Sequence, residues 1–595
     1  MQRDVDQVAF AFDLQNGRVA RLQTRQKELL SSSSTYPLQV RIRISQRASL
    51  SGSSDLPEPG NASSNPLLSG PSHRPLGGSS QVALGILFSR LTGLVRERVI
   101  GHYFGNSPVV GVFRAAFKIP NLLSNLFGEG VLSAAFVTVY AKLRAQEQNK
   151  EAQQLSQAVF TILAVVASII VLVGVLVTPL LIDLIAPGFH GADRDLTIRL
   201  VRILFPAAGM LVMSAWCLGV LNSHRKFLLS YSAPVVMNGA MIAGLVLFGR
   251  YLPQQQAVVV LAWACVAGSV LQFLVQLPAV SRLLPAFRPL LDLHSPHVRS
   301  VVRNFGPVFL SRGVVQISSY IDSMIASFLG PEAVSALSYG QFISVLPISL
   351  FSMAISAAEL PELSSAVGHR EEIAAHLRKR LTAALRRIAF FIVPCVVAFL
   401  VNGDTLVAAL YQGGRFSYGD SLYVWSVLAG SSVGLLATSL GRLYSSGFYA
   451  LQDTRTPLRF AMVRVTLTTV LGLLFAFPLP RWLGIDPRWG VAGLTVSAGI
   501  AGWVEFSLLR RSLTQKIGTL PLPFSFMSKL WIVSFLAAAA SYSWKSALGT
   551  RHPLPLAVIV IITYGTIYFG GTLLAGVPES KATVKTVVRR LGFGT

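Results

Sequence analysis

From position 81 onward the chain is built of apolar blocks too long for the half-buried helices of a soluble domain. An α-helix rises 1.5 Å per residue, so about 20 apolar residues cross the hydrocarbon core of a bilayer. Blocks of that length predict fourteen helices, at 81–103, 107–142, 153–186, 195–222, 228–249, 257–282, 298–328, 332–365, 380–411, 419–450, 457–479, 488–510, 526–547 and 553–576. Pro120, Pro206 and Pro347 fall inside the second, fourth and eighth. A proline removes a backbone bond, and at membrane depth that is tolerated where the backbone lines a cavity or is covered by neighbours. Cavity lining and a packing kink both fit.

The pattern also repeats. LFSR at Leu87–Arg90 returns as FLSR at Phe309–Arg312, and the turn FGNSP at Phe104–Pro108 as FLGPE at Phe328–Glu332. Pro120 corresponds to Pro347, and GVLNSHRKFLLSYSAP (Gly219–Pro234) parallels SGFYALQDTRTP (Ser446–Pro457). The expected fold is all-α and polytopic, with two pseudo-symmetric six-helix lobes, 81–283 and 295–513, around a central cavity, a plan common among transporters. Two further helices (526–576) and a basic tail (577–595) follow. Residues 1–80 are rich in Ser, Pro and Gly, lack an apolar signal-peptide core, and are expected to be disordered. After Met1 the next methionine is Met210, so a reading frame begun too early is an equal account of this extension.

Composition agrees with the pattern. Mean hydropathy is +0.57 and 13% of residues are charged, against roughly 25% in soluble domains. The net charge of +25 would suggest nucleic acid in a soluble protein. Here the cations collect in alternate loops, such as Arg225-Lys226, Arg378-Lys379-Arg380, Arg510-Arg511 and the tail, which is the positive-inside bias. That predicts a multi-pass membrane protein with both termini cytoplasmic, membrane lipids as neighbours and no nucleic-acid partner. Cys217, Cys265 and Cys395 lie in apolar helices and read as core residues. With no metal-ligand cluster, nucleophile–base pair or phosphate loop, neither a metal, a cofactor nor an enzyme is expected.

The informative departure is a line of charges inside the first two helices. Arg90, Arg96, Arg98, Arg114 and Lys118 are offset only by Glu97 and Glu129. A charge at mid-bilayer costs at least about 2.5–3.5 kcal/mol, so such residues face a protein interior or a wet cavity. Five cations there imply a cavity that receives an anion. Arg312 adds a cation in the seventh helix. Asp322, Glu359, Glu362 and Glu505 fit either ion coupling or pairing, for example with Arg312 or Arg464; Glu359 and Glu362 are expected near Arg370. Asp453 and Arg455, in the DTRTP turn, fit a helix start.

The strings SRLTGLVRE (Ser89–Glu97), FRAAFKIPNLL (Phe113–Leu123), FGEGVLSAAFV (Phe127–Val137), APGF (Ala186–Phe189), LYQGGRFSYGDS (Leu410–Ser421) and FYALQDTRTP (Phe448–Pro457) resemble the MurJ (MviN) family. These are the lipid II flippases of the MOP transporter superfamily. The likeness spans about 81–513. It implies fourteen helices, a V-shaped cavity between two lobes and alternating access. The implied substrate is an undecaprenyl-pyrophosphate-linked peptidoglycan precursor, moved from the inner to the outer leaflet. Arg90, Arg96, Glu97 and Lys118 fall on the family's charged positions, and guanidinium groups suit a pyrophosphate. Arg90 and Glu97, seven apart, share a helix face, so Glu97 is expected to neutralise Arg90 in the empty cavity.

Three positions depart from the family: Gly111 for an acid, Ser124 for an arginine, and Gln341-Phe342 for an Asp-Arg pair. Arg114 and Arg312 are expected to make up the cation count. The resulting substrate-binding set is Arg90, Arg96, Glu97, Arg114, Lys118 and Arg312, with Asp322 and Glu505 for coupling to Na+, H+ or the membrane potential. A monomer is expected, with cell-wall synthesis proteins as partners. The competing readings are an exporter of cations or polysaccharide-lipids from the same superfamily, and a membrane scaffold without transport.

Overall fold

The computed structural model describes residues 78–127, 132–285, 288, 290–292, 294–364, 370–548 and 553–590; the predicted extension and Glu129 lie outside them. The described residues are almost wholly helical. The N-lobe comprises α1 (Gly78–Phe104), α2 (Pro108–Phe127), α3 (Asn149–Ile185), α4 (Gly191–Ser223), α5 (Pro234–Phe248) and α6 (Gln254–Leu283). Beyond α2 a π-helical turn, Ser133–Val137, leads into Thr138–Ala145. The C-lobe comprises α7 (Pro296–Ser327), α8 (Pro331–Pro347), α9 (Arg370–Val401), α10 (Tyr418–Ala450), α11 (Arg455–Ala476) and α12 (Gly490–Ile517). A second π turn, Ile348–Met353, carries α8 into Ala354–Ser364, and a short helix, Gly403–Tyr411, joins α9 to α10. Then come α13 (Phe524–Leu548), α14 (Pro553–Leu574) and a terminal helix, α15 (Pro578–Arg590).

Eleven helices among the described residues are long and apolar enough to cross a membrane. The other three of the predicted fourteen, α1, α2 and α7, are helical but carry the charges named above, so length and composition alone do not establish fourteen. The outer surface of α3 shows what such a helix meets. Val165, Ile169, Leu172, Leu176, Leu180 and Leu184 are exposed at helical spacing. The stripe is about 28 Å long at 1.5 Å per residue, close to the hydrocarbon thickness of about 30 Å. Polar side chains turn inward instead: Gln272 and Gln276 of α6 both donate to Ser214 Oγ of α4, at 2.9 and 2.6 Å.

The repeat is visible in the backbone itself. Gly105 and Gly330 both take a left-handed φ, +68° and +103°, just before α2 and α8, each of which opens on proline. Further on, Arg225 and Gln452 both stand at φ 58° after α4 and α10. In each case the next residue reaches back five positions, Lys226 N to Leu221 O and Asp453 N to Phe448 O, at 2.9 Å. That is the hydrogen-bonded helix ending usually given to glycine. In the second copy Asp453 also receives Thr456 N and Oγ1, at 3.0 and 2.7 Å, and Lys516 Nζ at 2.5 Å. The bond from Lys516 holds the Asp453 carboxyl well below the usual range.

The lobes meet most closely where the turns after α1 and α7 lie. Gly111 of α2 is pressed on Pro331 at the start of α8; a Cβ there would stand 1.8 Å from the Pro331 carbonyl oxygen. Gly188 N donates to Ser327 Oγ at 3.2 Å, and Arg415 N to His102 O at 2.9 Å. At its other end α7 leans on the N-lobe, with Val298 and Val301 in the core around Phe136 and Leu155. His297 Nε2 lies 3.1 Å from Glu151 Oε2 of α3.

Candidate functional site

The charges of α1 and α2 converge beside the lobe junction. Glu97 is 2% exposed, and its carboxylate is held by two guanidinium groups. Arg96 donates to Oε1 at 2.7 Å; Arg114 donates to Oε1 at 3.1 Å and also to Oε2. Arg96 is fixed on its other side by Asn238 Oδ1 of α5, at 2.8 Å. Asn238 in turn donates to Thr92 Oγ1 at 3.2 Å. This pairing corrects the expectation that Glu97 neutralises Arg90. A guanidinium is long enough to fold back on its chain neighbour, and α2 supplies the second. Arg90 is exposed and has no partner among the described residues.

The C-lobe covers this triad with aromatic rings. The Arg114 guanidinium carbon lies 5.1 Å from the ring centre of Tyr339 on α8. Tyr339 packs at 4.7 Å on Tyr411 and at 5.5 Å on Phe416. Both belong to the LYQGGRFSYGDS segment, which folds into a tight turn capped onto α10. There Ser417 Oγ accepts from Asp420 N at 3.1 Å, and Asp420 Oδ2 accepts from Ser417 N at 2.8 Å, a reciprocal cap. Arg98, one of the five cations of the first two helices, reaches across to the end of the Gly403–Tyr411 helix. It donates to the carbonyls of Ala409 and Leu410 at 2.6 and 3.1 Å.

One turn past Arg114, Lys118 lies 6.0 Å from the ring centre of Tyr320 on α7, whose hydroxyl donates to Lys118 O at 2.7 Å. Asp322, two residues on, is half-buried, and its Oδ1 has no hydrogen-bond partner. It lies within the fields of Lys118 and Arg464. The side chain of Arg312 is outside the described residues. Glu505 is not free to act alone: Arg464 NH1 donates to its Oε2 at 3.2 Å. Glu359 and Glu362 pair with Arg380, and Glu359 also with Arg387; they had been expected near Arg370, whose side chain is outside the described residues. Ser124, at the second departure, is half-buried, as are Gln341 and Phe342.

The structure therefore joins Arg96, Glu97 and Arg114 directly, places Lys118 with Asp322, and leaves Arg90 apart. Two cations on one carboxylate give the triad a net charge of +1. Bonded guanidiniums with donors to spare make a centre for an oxyanion. Asn238, Tyr339 and Tyr411 had not been singled out. Asn238 stood as one polar residue in PVVMNGAM, and Tyr411 inside a quoted string with no role attached. Among the described residues no His/Cys/Asp/Glu group could hold a metal ion.

Known proteins match this chain along most of its length. The family described as lipid II flippase MurJ matches residues 100–559. A lipid II flippase MurJ of Burkholderia cenocepacia is 33% identical over 436 residues, covering 72% of this chain and 82% of that protein. A probable lipid II flippase MurJ of Rhizobium tropici is 30% identical over 516 residues, covering 82% and 92%. Among solved structures, a lipid II flippase MurJ in an inward closed conformation superposes with a TM-score of 0.67 at 22% identity, over 83% of this chain and 99% of that one. An inward-facing multidrug resistance MATE transporter of the MOP superfamily gives 0.60 at 18% identity, over 74% and 98%. The likeness to these two structures is one of fold. By the extent of the family match and the identity to its relatives, the chain belongs to the MurJ family.

Proposed function

We propose that this protein translocates lipid II, an undecaprenyl-pyrophosphate-linked peptidoglycan precursor, from the inner to the outer leaflet of the cytoplasmic membrane by alternating access. The observation that carries this reading is the Arg96–Glu97–Arg114 triad, a buried centre of net charge +1 at the lobe junction of a MurJ-family chain. In a site of low dielectric a pyrophosphate gains more from such donors than in water. The same charge repels the cations that a multidrug exporter would carry. The turn-end contacts between the lobes fit a state closed on the outer side, with both chain termini in the cytoplasm. Of the two acids considered for coupling, Glu505 is occupied by Arg464, so an ion-coupled step rests on Asp322, whose Oδ1 is buried and unbonded.

The test is complementation of a strain depleted of its lipid II flippase. The wild-type chain should restore growth, and Arg96→Ala and Arg114→Ala should each lose rescue at unchanged protein level. A well-expressed wild-type chain that fails to rescue would sink the proposal.

A further inference from the structure

The N-lobe triad leaves a second group of charges without a role. Arg442 on α10, Arg464 on α11 and Glu505 on α12 stand inside the membrane-crossing helices of the C-lobe. Arg464 gives one bond to Glu505, while its Nε is buried and unbonded. Arg442 is exposed and its side chain makes no hydrogen bond or ion pair among the described residues, yet it lies in the fields of both Arg464 and Glu505. The group holds two cations and one carboxylate, but only Arg464 is bonded to it.

The direction they face follows from their neighbours. α10 buries its other sides against α8, α9 and α12, so Arg442 occupies the side left open. α7 packs on α2 and α3 of the N-lobe and on α11 of the C-lobe, so Arg464 on α11 stands beside the helix that borders the gap between lobes, and its charge reaches Asp322 there. An arginine turned to hydrocarbon would instead carry a heavy desolvation cost.

We propose that Arg442 and Arg464 form a second oxyanion subsite on the C-lobe wall of the central gap, with Glu505 holding Arg464 in orientation. The group bound is an oxyanion of the translocated molecule: a phosphate of its pyrophosphate link or a carboxylate of its peptide. This rests on the reading of the substrate as a lipid-linked anion. A guanidinium fork offers paired donors to either group. One substrate gripped from both walls would also draw the lobes together, because the second contact becomes intramolecular once the first has formed.

The experiment measures binding of undecaprenyl pyrophosphate and of complete lipid II to the full chain in nanodiscs, at several salt concentrations. The variants are Arg442→Gln and Arg442→Lys, each checked by thermal melting. Arg442→Gln should weaken binding roughly tenfold, the scale of one lost charge-assisted contact, and flatten the salt dependence; Arg442→Lys should fall between it and wild type. Weakening for both lipids assigns the pyrophosphate, and weakening for lipid II alone assigns the peptide carboxylate. Wild-type affinity and salt dependence for both lipids in Arg442→Gln would overturn the subsite and leave the proposed function standing. A wild-type chain that binds neither lipid would overturn both.

Discussion

Replacing Glu97 by Gln keeps the side-chain volume and removes the charge that two arginines share. Guanidiniums bonded to one carboxylate stand roughly 6 Å apart, and at an effective dielectric of about 20 their repulsion is ~3 kcal/mol. In the wild type the carboxylate outweighs it. Arg96 and Arg114 are 16% and 12% exposed, so solvent screens little of the residue. Breaking a buried pair from one side typically costs about 3–5 kcal/mol, and the bond that Arg96 keeps to Asn238 argues for about 3. The formal charge of the triad is +1 in the wild type, +2 in Glu97→Gln, 0 in Arg114→Gln and +1 again in the double variant. Melting of the purified protein in detergent should therefore show a large loss in Glu97→Gln and recovery of most of it in the double, a coupling of about 2 kcal/mol. Arg90→Gln should add to Glu97→Gln within about 0.5 kcal/mol, since the two do not touch. A Glu97→Gln protein that melts with the wild type, or a double variant no better than the single, would refute the reasoning.

Other outcomes follow from single positions. Gly111→Ala puts a methyl group against the Pro331 carbonyl, so the turn-end contact should open; spin labels at the exposed positions His190 and Glu332 should report a larger share of long distances. His224, whose Nε2 lies 3.0 Å from Tyr140 Oη, has its pKa lowered from 6.5 to about 4, by burial first and then by Arg144 and Lys226. The unfolded chain thus takes up this proton before the folded one, so stability should hold above pH 6.5 and fall between 6.5 and 4; in His224→Gln that slope should flatten. Gln452→Gly relieves a left-handed φ of 58° and should stabilise by about 0.5–1 kcal/mol, the strain relieved less the entropy glycine adds to the unfolded chain; Arg225→Gly should do the same, and unchanged melting in both would count against strain there.

The helices were legible because apolar runs of membrane length need no tertiary information. α1, α2 and α7 read less plainly since their charges serve the interior. The site was legible as a set of residues and not as a set of bonds. Spacing along one helix put Glu97 with Arg90, but the deciding partner came from α2, and Arg96 was anchored by a residue 142 positions away. Tyr339 and Tyr411 have ordinary neighbours in sequence, and only the docking of the two lobes brings them over Arg114. The repeat showed the opposite economy. Four weak string matches pointed to it, and the matched backbone at Arg225 and Gln452 shows what those strings encode.

The seam between the lobes has a property of its own. Tyr320 Oη, Tyr339 Oη, Arg98 and Arg415 N all end on main-chain oxygens, those of Lys118, Gly105, Ala409 with Leu410, and His102. Every residue type supplies that acceptor, so sequence drift on the receiving side cannot delete it, and the halves can reclose in one register while their surfaces diverge. Three of the four donors are neutral and add about 1 kcal/mol each. A clasp of this kind is made of weak single bonds, and, Arg98 apart, it depends little on salt.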